Sequence, residues 1–506
     1  MVRERIRLSG LHDRVMSADQ AASLIQDGMT VGMSGFTRAG DAKAVPLALI
    51  ARGKAEPLHI NLLTGASLGN DLDGMLADAG MLKRRLPFQA DARLRAAINR
   101  GEVMFIDQHL SEMVEQLRSG ALGHLDCAII EATAITETGA IVPTTSVGNS
   151  ASFAILADKV IVELNLAQPA ALEGLHDIYI PKRRPAREPI GLTSASDRIG
   201  ATAIPVDPDK IVAIVLTNQP DSATTLQAPD ADTQAISRHL ITFLEKEVLA
   251  GRLPRHLPPL QAGIGAIANA VLSGLKDSPF TDLELYSEVL QDSTFDLFGA
   301  GKLAFASASS IVLTAPVMAR VMPNIAAYRD RVILRPQEVS NHPEVVRRLG
   351  LIAINTAIEC DIYGNVNSTH VNGTHMMNGI GGSGDFARNA QLSVFVTKSL
   401  AKDGRISSIV PMVTHVDHTE HDVDVIVTER GLADLRGLAP RERAQVIMEN
   451  CLHPSYRPQM ADYVRRAVAR GGQTPHVLEE AFSWHIRARE TGSMLATPAA
   501  QAALSA

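Results

Sequence analysis

Two carboxylates, two glycine-rich turns and one histidine-rich loop are the parts of this sequence whose residue types and spacing suit chemistry. Glu288 stands in "LELYSEVLQDS", residues 283–293, where the flanking pattern is half-buried. A carboxylate there is either a catalytic group or an acid in the first turn of the helix-like run that follows, favoured by the helix dipole. Glu429, at the end of an apolar strand, is a second candidate by the same logic. "MMNGIGGSGDFARNA", residues 376–390, crowds Gly379, Gly381, Gly382 and Gly384 together, a freedom of backbone that no core helix or strand wants. Successive Gly and Ser N–H groups can form an anion nest or oxyanion hole, with Asp385 and Arg388 available to stiffen the loop. "GIGAIA", Gly263 to Ala268, matches the short dinucleotide fingerprint at a turn entering a helix. Three readings of it stay open: a tight turn, an N–H cradle for a phosphate or pantetheine, and a nicotinamide cofactor site.

Other chemistries fit less well. "GAGKL", residues 299–303, lacks the first Gly and the hydroxyl residue of a P-loop, and "GMSGF" and "GGSGD" both fail as serine-nucleophile elbows. Cys127 and Cys360 lie inside apolar strands, where a thiol packs rather than reacts. "THVDHTEHDVD", residues 414–424, offers His415, Asp417, His418, His421 and Asp422, but at no helical H-E-x-x-H spacing. We read it as a polar loop and expect no metal.

These residues need elements to hold them. Apolar residues make up 46% and aromatics only 4%, an Ala/Val/Ile/Leu filling typical of α/β layering. At 506 residues the chain exceeds what one core serves. Ser17 and Gln20 form a capping box before a helix expected to end at Gly28. "MTVGMSGF" into "KAVPLALIARG" and then "LHINLLTGAS" has βαβ rhythm. "DCAIIEATAI" and "DKVIVELN" read as buried parallel strands whose polar ends reach the carboxyl edge of a sheet, where ligands sit in open α/β folds. The expected division is an N-terminal α/β domain over 1–220, a linker over 221–232 within "TNQPDSATTLQAPDAD", and a second α/β domain over 233–506 with a helical end. "RLPRHLPPLQA" is Pro-rich, so no strong strand is expected before the Gly263 turn, and Pro440 is expected as the first residue of a helix. The net charge of −7 gives no basic footprint for nucleic acid, and no apolar run approaches a membrane span. Three cysteines without C-x-x-C spacing and a charged N-terminus without a signal-peptide core fit a reducing cytoplasm.

Taken together, "SGFTRAG", "LLTGAS", "VPTTSVGNS", "QAGIGAIANAV", "YSEVLQDS", "ASASS", "RPQEVSNHPEVVRRLG", "MNGIGGSGDF" and "TERGLADLRGL" resemble the acetyl-CoA hydrolase/transferase family of class I coenzyme A transferases over nearly the whole chain. The resemblance implies two CoA-transferase-type open α/β domains with the active site at their interface, acyl-CoA and small carboxylic acids as substrates, and a homodimer. It implies Glu288 as nucleophile, with Asn341, Gly382 and Glu429 as further active-site residues. It also implies coenzyme A contacts at Gly263, Ile264, Gly265, Ala266, Ile267, Asn378, Gly382 and Lys402. "TNQPDS" and "YSEVLQDS" resemble the propionyl-CoA:succinate branch, which points to succinyl-CoA exchanging with acetate or propionate. Acetate-handling relatives carry Thr at Ala90 and Arg at Ser222, and both departures bear on the acyl pocket. An acyl-CoA hydrolase on the same fold and a nicotinamide-dependent oxidoreductase are the rival activities.

Overall fold

The computed structural model describes residues 2–496. They form two compact units. The first runs to Leu226 and includes Asp282–Leu349 and Asn378–Asp385; the second holds Gln227–Thr281, Gly350–Met377 and the chain from Phe386 onward.

The first unit carries a seven-stranded sheet of β1 (Thr30–Met33), β2 (Ile60–Leu63), β3 (Leu82–Leu86), β4 (Met104–Phe105), β5 (Cys127–Ala132), β6 (Lys159–Asn165) and β7 (Ile211–Thr217). The order is β4-β3-β2-β1-β5-β6-β7, with every pairing parallel. The chain leaves β1 toward one edge and returns at β5 toward the other, so the order reverses between β1 and β5. At such a reversal the loops leaving the carboxyl ends diverge and open a crevice. β5 is buried along its whole length, which is why its sequence runs apolar rather than alternating. Helices Ala44–Ala55, Leu72–Asp78 and Ala92–Asn99 bury Leu49, Leu76 and Leu94 against Val31, Ile60, Leu62 and Ile129.

The polar ends of β5 and β6 serve the fold rather than an open ligand edge. Glu131 Oε1 accepts from the buried Lys43 ammonium at 2.5 Å, which also reaches Asp221 Oδ1 at 3.0 Å. Glu163 accepts the N–H groups of Lys43, Ala44 and Val45 at 2.7, 3.0 and 2.6 Å, satisfying the first turn of helix Ala44–Ala55. The Ser17 capping box forms as expected, but its helix stops at Ala22, short of Gly28. Arg52 donates to the carbonyls of Ala22 and Ile25 at 3.0 and 2.5 Å, at and just beyond the end of this helix.

Strand Leu283–Tyr286 of the first unit pairs in parallel with Leu303–Ala308, and that strand with Val332–Leu334. Beyond it the chain continues as a short parallel pair, Val289–Leu290 with Ser310–Ile311.

The second unit has strands Leu260–Ala262, Ile352–Thr356, Leu392–Val396 and Val425–Thr428 in parallel, closed by antiparallel Gly431–Asp434. The Pro-rich segment thus does deliver a strand into the Gly263 turn, contrary to expectation. Its three residues follow Pro259 and are all buried. Helices Pro440–Asn450, Arg457–Arg470 and Ser483–Thr491 bury Ile447, Met460, Tyr463 and Trp484 with Phe395 and Ile426. Pro440 is the first residue of its helix, and Glu442 accepts the Ala439 N–H at 2.8 Å.

Cys127, Cys360 and Cys451 are free and buried. Burial pushes the thiols of Cys127 and Cys451 up to about 12, and that of Cys360 well above its usual value. Among the described residues no helix is long and apolar enough to cross a membrane.

Candidate active site

Glu288 lies at the break between strand Leu283–Tyr286 and strand Val289–Leu290, four residues before helix Asp292–Gly299. It is not a first-turn helix residue, and the dipole reading of "YSEVL" is corrected. Its main chain is pinned from the "ASASS" stretch: the N–H groups of Ser309 and Ser310 donate to the Glu288 carbonyl at 2.9 and 3.1 Å. One residue earlier the Ser287 N–H donates to the Ser307 carbonyl at 2.9 Å, so the strand holds the residue's direction. The side chain is 7% exposed.

Asn341 ends the short helix Gln337–Ser340 and is itself fully buried. Its Nδ2 donates to Glu288 Oε1 at 2.7 Å. From the opposite side the glycine-rich loop presses in. A Cβ on Gly382 would stand 1.9 Å from Glu288 Oε1 and 2.1 Å from Asn341 Nδ2, so only glycine lets the main chain come this close. Burial pushes the Glu288 carboxyl up to about 7, and the Asn341 hydrogen bond only partly opposes it. Near neutral pH the group therefore divides between acid and carboxylate.

The loop is anchored by residues that sequence reading left unmarked. Asp107 accepts the Ile380 N–H at 2.9 and 3.0 Å, and Phe88 lies against Gly379 and Gly381. Ser111 holds Asp385 through both its N–H, at 3.0 Å, and its hydroxyl, at 2.6 Å. Asp385 does stiffen the loop as expected, and its carboxylate also reaches the site: Oδ2 lies 3.5 Å from the same Asn341 Nδ2. Nothing in "FIDQHLSEM" distinguishes Asp107 or Ser111 from ordinary loop residues. Phe36 and Ala39 of "SGFTRAG", Ala66 of "LLTGAS", Leu110, Val289 and Val312 form a small apolar cluster with Phe88. Val289 places this cluster next to Glu288 in the chain.

Glu288, Asn341 and Gly382 are thus brought together within the first unit, and Asn378 begins the loop that delivers Gly382. Gly263, Ile264, Gly265, Ala266, Ile267, Lys402 and Glu429 belong to the second unit. Gly263–Gly265 turn from strand Leu260–Ala262 into helix Ala266–Gly274, Gly265 has φ +120°, and Ile264 is 42% exposed. Lys402 follows strand Leu400–Ala401 and lines a cavity of about 610 Å³ with His375, His485 and Arg489. Glu429 accepts from the Ser399 N–H at 2.8 Å and from the Ser399 hydroxyl, so its carboxylate is oriented. Ala90 lines a cavity of about 190 Å³ with Arg38, Ser67 and Asp71, while the Ser222 hydroxyl accepts the Asn70 N–H at 3.2 Å.

Several side chains of the histidine-rich loop pack or hydrogen-bond against neighbouring residues. Asp417 accepts from Ser368 and Thr369, His418 packs on Phe395 with ring centroids 4.7 Å apart, and His415 stacks on His370. Among the described residues no group of three or more His, Cys, Asp or Glu is placed to hold a metal.

Residues 3–216 match the acetyl-CoA hydrolase/transferase N-terminal domain, and residues 319–464 match the C-terminal domain of the same family. The chain belongs to the acetyl-CoA hydrolase/transferase family. It is 52% identical over 494 residues to a succinyl-CoA:acetate CoA-transferase of Clostridium kluyveri, covering 97% of this chain and 92% of the relative. It is 45% identical to the propanoyl-CoA:succinate CoA transferase of Escherichia coli over 95% of this chain and 98% of the relative. An acetyl-CoA hydrolase of Kluyveromyces lactis is also 45% identical, over 98% of both chains. In fold the protein is similar to RipA from Yersinia pestis, with a TM-score of 0.70 at 20% identity over 90% of this chain and 98% of that one. It is likewise similar to 4-hydroxybutyrate CoA-transferase from Porphyromonas gingivalis, with a TM-score of 0.62 at 22% identity and the same coverage. Membership in this family makes the protein an enzyme of the CoA-transferase class.

Proposed function

We propose that the protein moves coenzyme A between a short-chain acyl-CoA and a carboxylate, succinyl-CoA with acetate or propionate, by a ping-pong route through a glutamyl-CoA thioester on Glu288. The observation that carries this reading is the buried Glu288 carboxylate, held between the Asn341 amide and the Gly382 main chain. Ionised Glu288 attacks the thioester carbonyl, giving an acyl-glutamyl anhydride and CoA thiolate. The thiolate attacks the glutamyl carbonyl, expelling the first carboxylate and leaving the glutamyl thioester. An incoming carboxylate attacks that thioester and expels the thiolate, which then takes the new acyl group and frees Glu288. No net proton is needed. Each attack on the glutamyl carbonyl puts negative charge on its oxygen, the atom beside Asn341 Nδ2, and a fixed donor there is worth ~3 kcal/mol.

Gly263–Ile267, Asn378, Gly382 and Lys402 are the proposed coenzyme A contacts, and Glu429 a further active-site carboxylate. Domains over 1–220 and 233–506 joined by 221–232 are part of the proposal; the two family matches, 3–216 and 319–464, fall one within each, while Asp282–Leu349 and Asn378–Asp385 cluster with the first compact unit. A cytoplasmic homodimer completes the proposal. The second reading, a simple acetyl-CoA hydrolase, is favoured by the similarity to hydrolases such as that of Kluyveromyces lactis.

Incubation with succinyl-CoA alone, followed by peptide mass spectrometry, tests the mechanism. CoA mass on residues 283–293 is expected; unmodified peptide, or unchanged exchange in Glu288→Ala, would sink it. Thioester loss that depends on added acetate or propionate marks a transferase, whereas loss at the same rate without them marks a hydrolase.

A further inference from the structure

The reaction scheme gives Asp385 no task, yet it sits in the same buried cluster as the nucleophile. It is 3% exposed. Its Oδ1 accepts the Ser111 hydroxyl at 2.6 Å and its Oδ2 the Ser111 N–H at 3.0 Å. Asn341 Nδ2 is 2.7 Å from Glu288 Oε1 and 3.5 Å from Asp385 Oδ2, so two buried carboxylates converge on one amide nitrogen. The groups facing Asp385 come from three further parts of the chain. Glu288 stands across the shared amide, Ser111 and Asn341 are neutral donors, and His109 Nδ1 lies 3.9 Å from Oδ1 with its ring 48% exposed. Asp107 is spent on the Ile380 N–H of the same loop.

Two carboxylates sharing one donor in a dry site do not both ionise at neutral pH, because like charges at this range raise the cost of the second. Burial pushes Asp385 up to about 8, and the Glu288 charge adds to that push. Such a pair titrates in two macroscopic steps that belong to the cluster rather than to either acid.

We propose that Asp385 is a positioning residue that keeps its proton while Glu288 reacts, so that the working cluster carries one negative charge, and that its ionisation at alkaline pH switches the site off. This rests on Glu288 being the nucleophile. Protonated Asp385 can return the Ser111 hydrogen bond by donating to the hydroxyl oxygen, and it leaves Asn341 Nδ2 to Glu288. Ionised Asp385 draws that amide toward itself and places a fixed charge beside the oxygen where the addition intermediate accumulates its own. Both effects slow attack on the glutamyl carbonyl.

The test is the pH profile of CoA exchange between succinyl-CoA and acetate from pH 6 to 9.5 for the full-length enzyme, Asp385→Asn and Ser111→Ala, each checked by thermal melting, with Glu288→Ala as control. The wild-type rate at pH 9.5 is expected to fall about tenfold or more below its maximum. Asp385→Asn presents the amide edge of a protonated carboxyl and cannot ionise, so its ratio of rates at pH 9.5 and 7.5 should rise to about one or above. Ser111→Ala removes a hydrogen bond that favours the charged form, so its alkaline limb should move to higher pH. A flat wild-type profile, or an Asp385→Asn profile with the wild-type alkaline limb, overturns the proposal. If Asp385→Asn does not fold, Ser111→Ala decides: an upward move supports the proposal and an unmoved limb overturns it. Exchange that survives in Glu288→Ala instead removes the glutamyl mechanism itself, which separates the two failures.

Discussion

Gly382→Ala puts the close approach of the loop to a quantitative test. The added methyl would stand 1.9 Å from Glu288 Oε1, 2.5 Å from its carboxyl carbon and 2.1 Å from Asn341 Nδ2. Non-bonded carbon and oxygen atoms keep about 3 Å or more apart, so the carboxylate or the loop must retreat by about 1 Å, and a misplacement of that size costs about 10²-fold in rate. The same retreat breaks the 2.7 Å contact with Asn341, whose loss as an oxyanion donor is worth about 10²–10³-fold. Both losses share one displacement and do not multiply. We therefore expect kcat for succinyl-CoA/acetate exchange to fall about 10²- to 10³-fold, or roughly 3–4 kcal/mol. The assay is exchange at saturating substrates beside a thermal melt, repeated for Asn341→Ala and the double variant. Because the methyl already separates the amide from the carboxylate, the second substitution should add much less than it does alone. A Gly382→Ala enzyme with kcat within about threefold of wild type refutes the reasoning, as does a double variant whose losses simply multiply.

The ionised fraction of Glu288 sets the acid limb, so kcat/KM should fall tenfold per pH unit well below about 7, as read from initial rates between pH 5 and 8. The same raised carboxyl makes its stability contribution present at low pH and lost as pH rises from its unfolded value near 4.3 through about 7. Glu288→Gln should accordingly unfold about 3–4 kcal/mol harder than wild type in urea at pH 8, with the difference fading at pH 4. Lys402→Ala should raise KM for acyl-CoA about tenfold with kcat little changed, and the effect should shrink in high salt. Lys43→Met leaves Glu131 and Asp221 buried without their cation and should cost about 3–5 kcal/mol in denaturant titration.

Elements whose causes are local were readable from the chain. The β5 run is apolar because it is buried along its length, the Ser17–Gln20 box caps its helix, and Pro440 starts one. The helix after Ser17 ended at Ala22, where Arg52, thirty residues on, donates to its carbonyl, a contact no local pattern encodes. The polar ends of β5 and β6 were read as a ligand edge, yet Glu131 and Glu163 are used up by Lys43 and by a helix start. Glu288 itself was ambiguous as a stretch of sequence, since an acid before a helix-like run fits two roles; the strand break that turns it inward depends on pairing with the "ASASS" segment. Glycine crowding at 379–384 was legible as a loop, but the contact that requires Gly382 was not. The Ser111–Asp385 contact joins residues 274 apart in sequence, and polar loop residues with no periodicity leave no trace of such a meeting.

The three thiols are all buried, and burial pushes the ionisation of each well above the ordinary thiol range. A colorimetric disulfide reagent needs an accessible thiolate, so the native protein contributes almost no background to it. Colour then reports coenzyme A set free in solution and nothing else. Transfer from one acid to another conserves thioesters and leaves the cuvette clear, whereas each hydrolytic turnover releases one coloured equivalent. The buried sulfur atoms thus let one continuous reading count the turnovers lost to water.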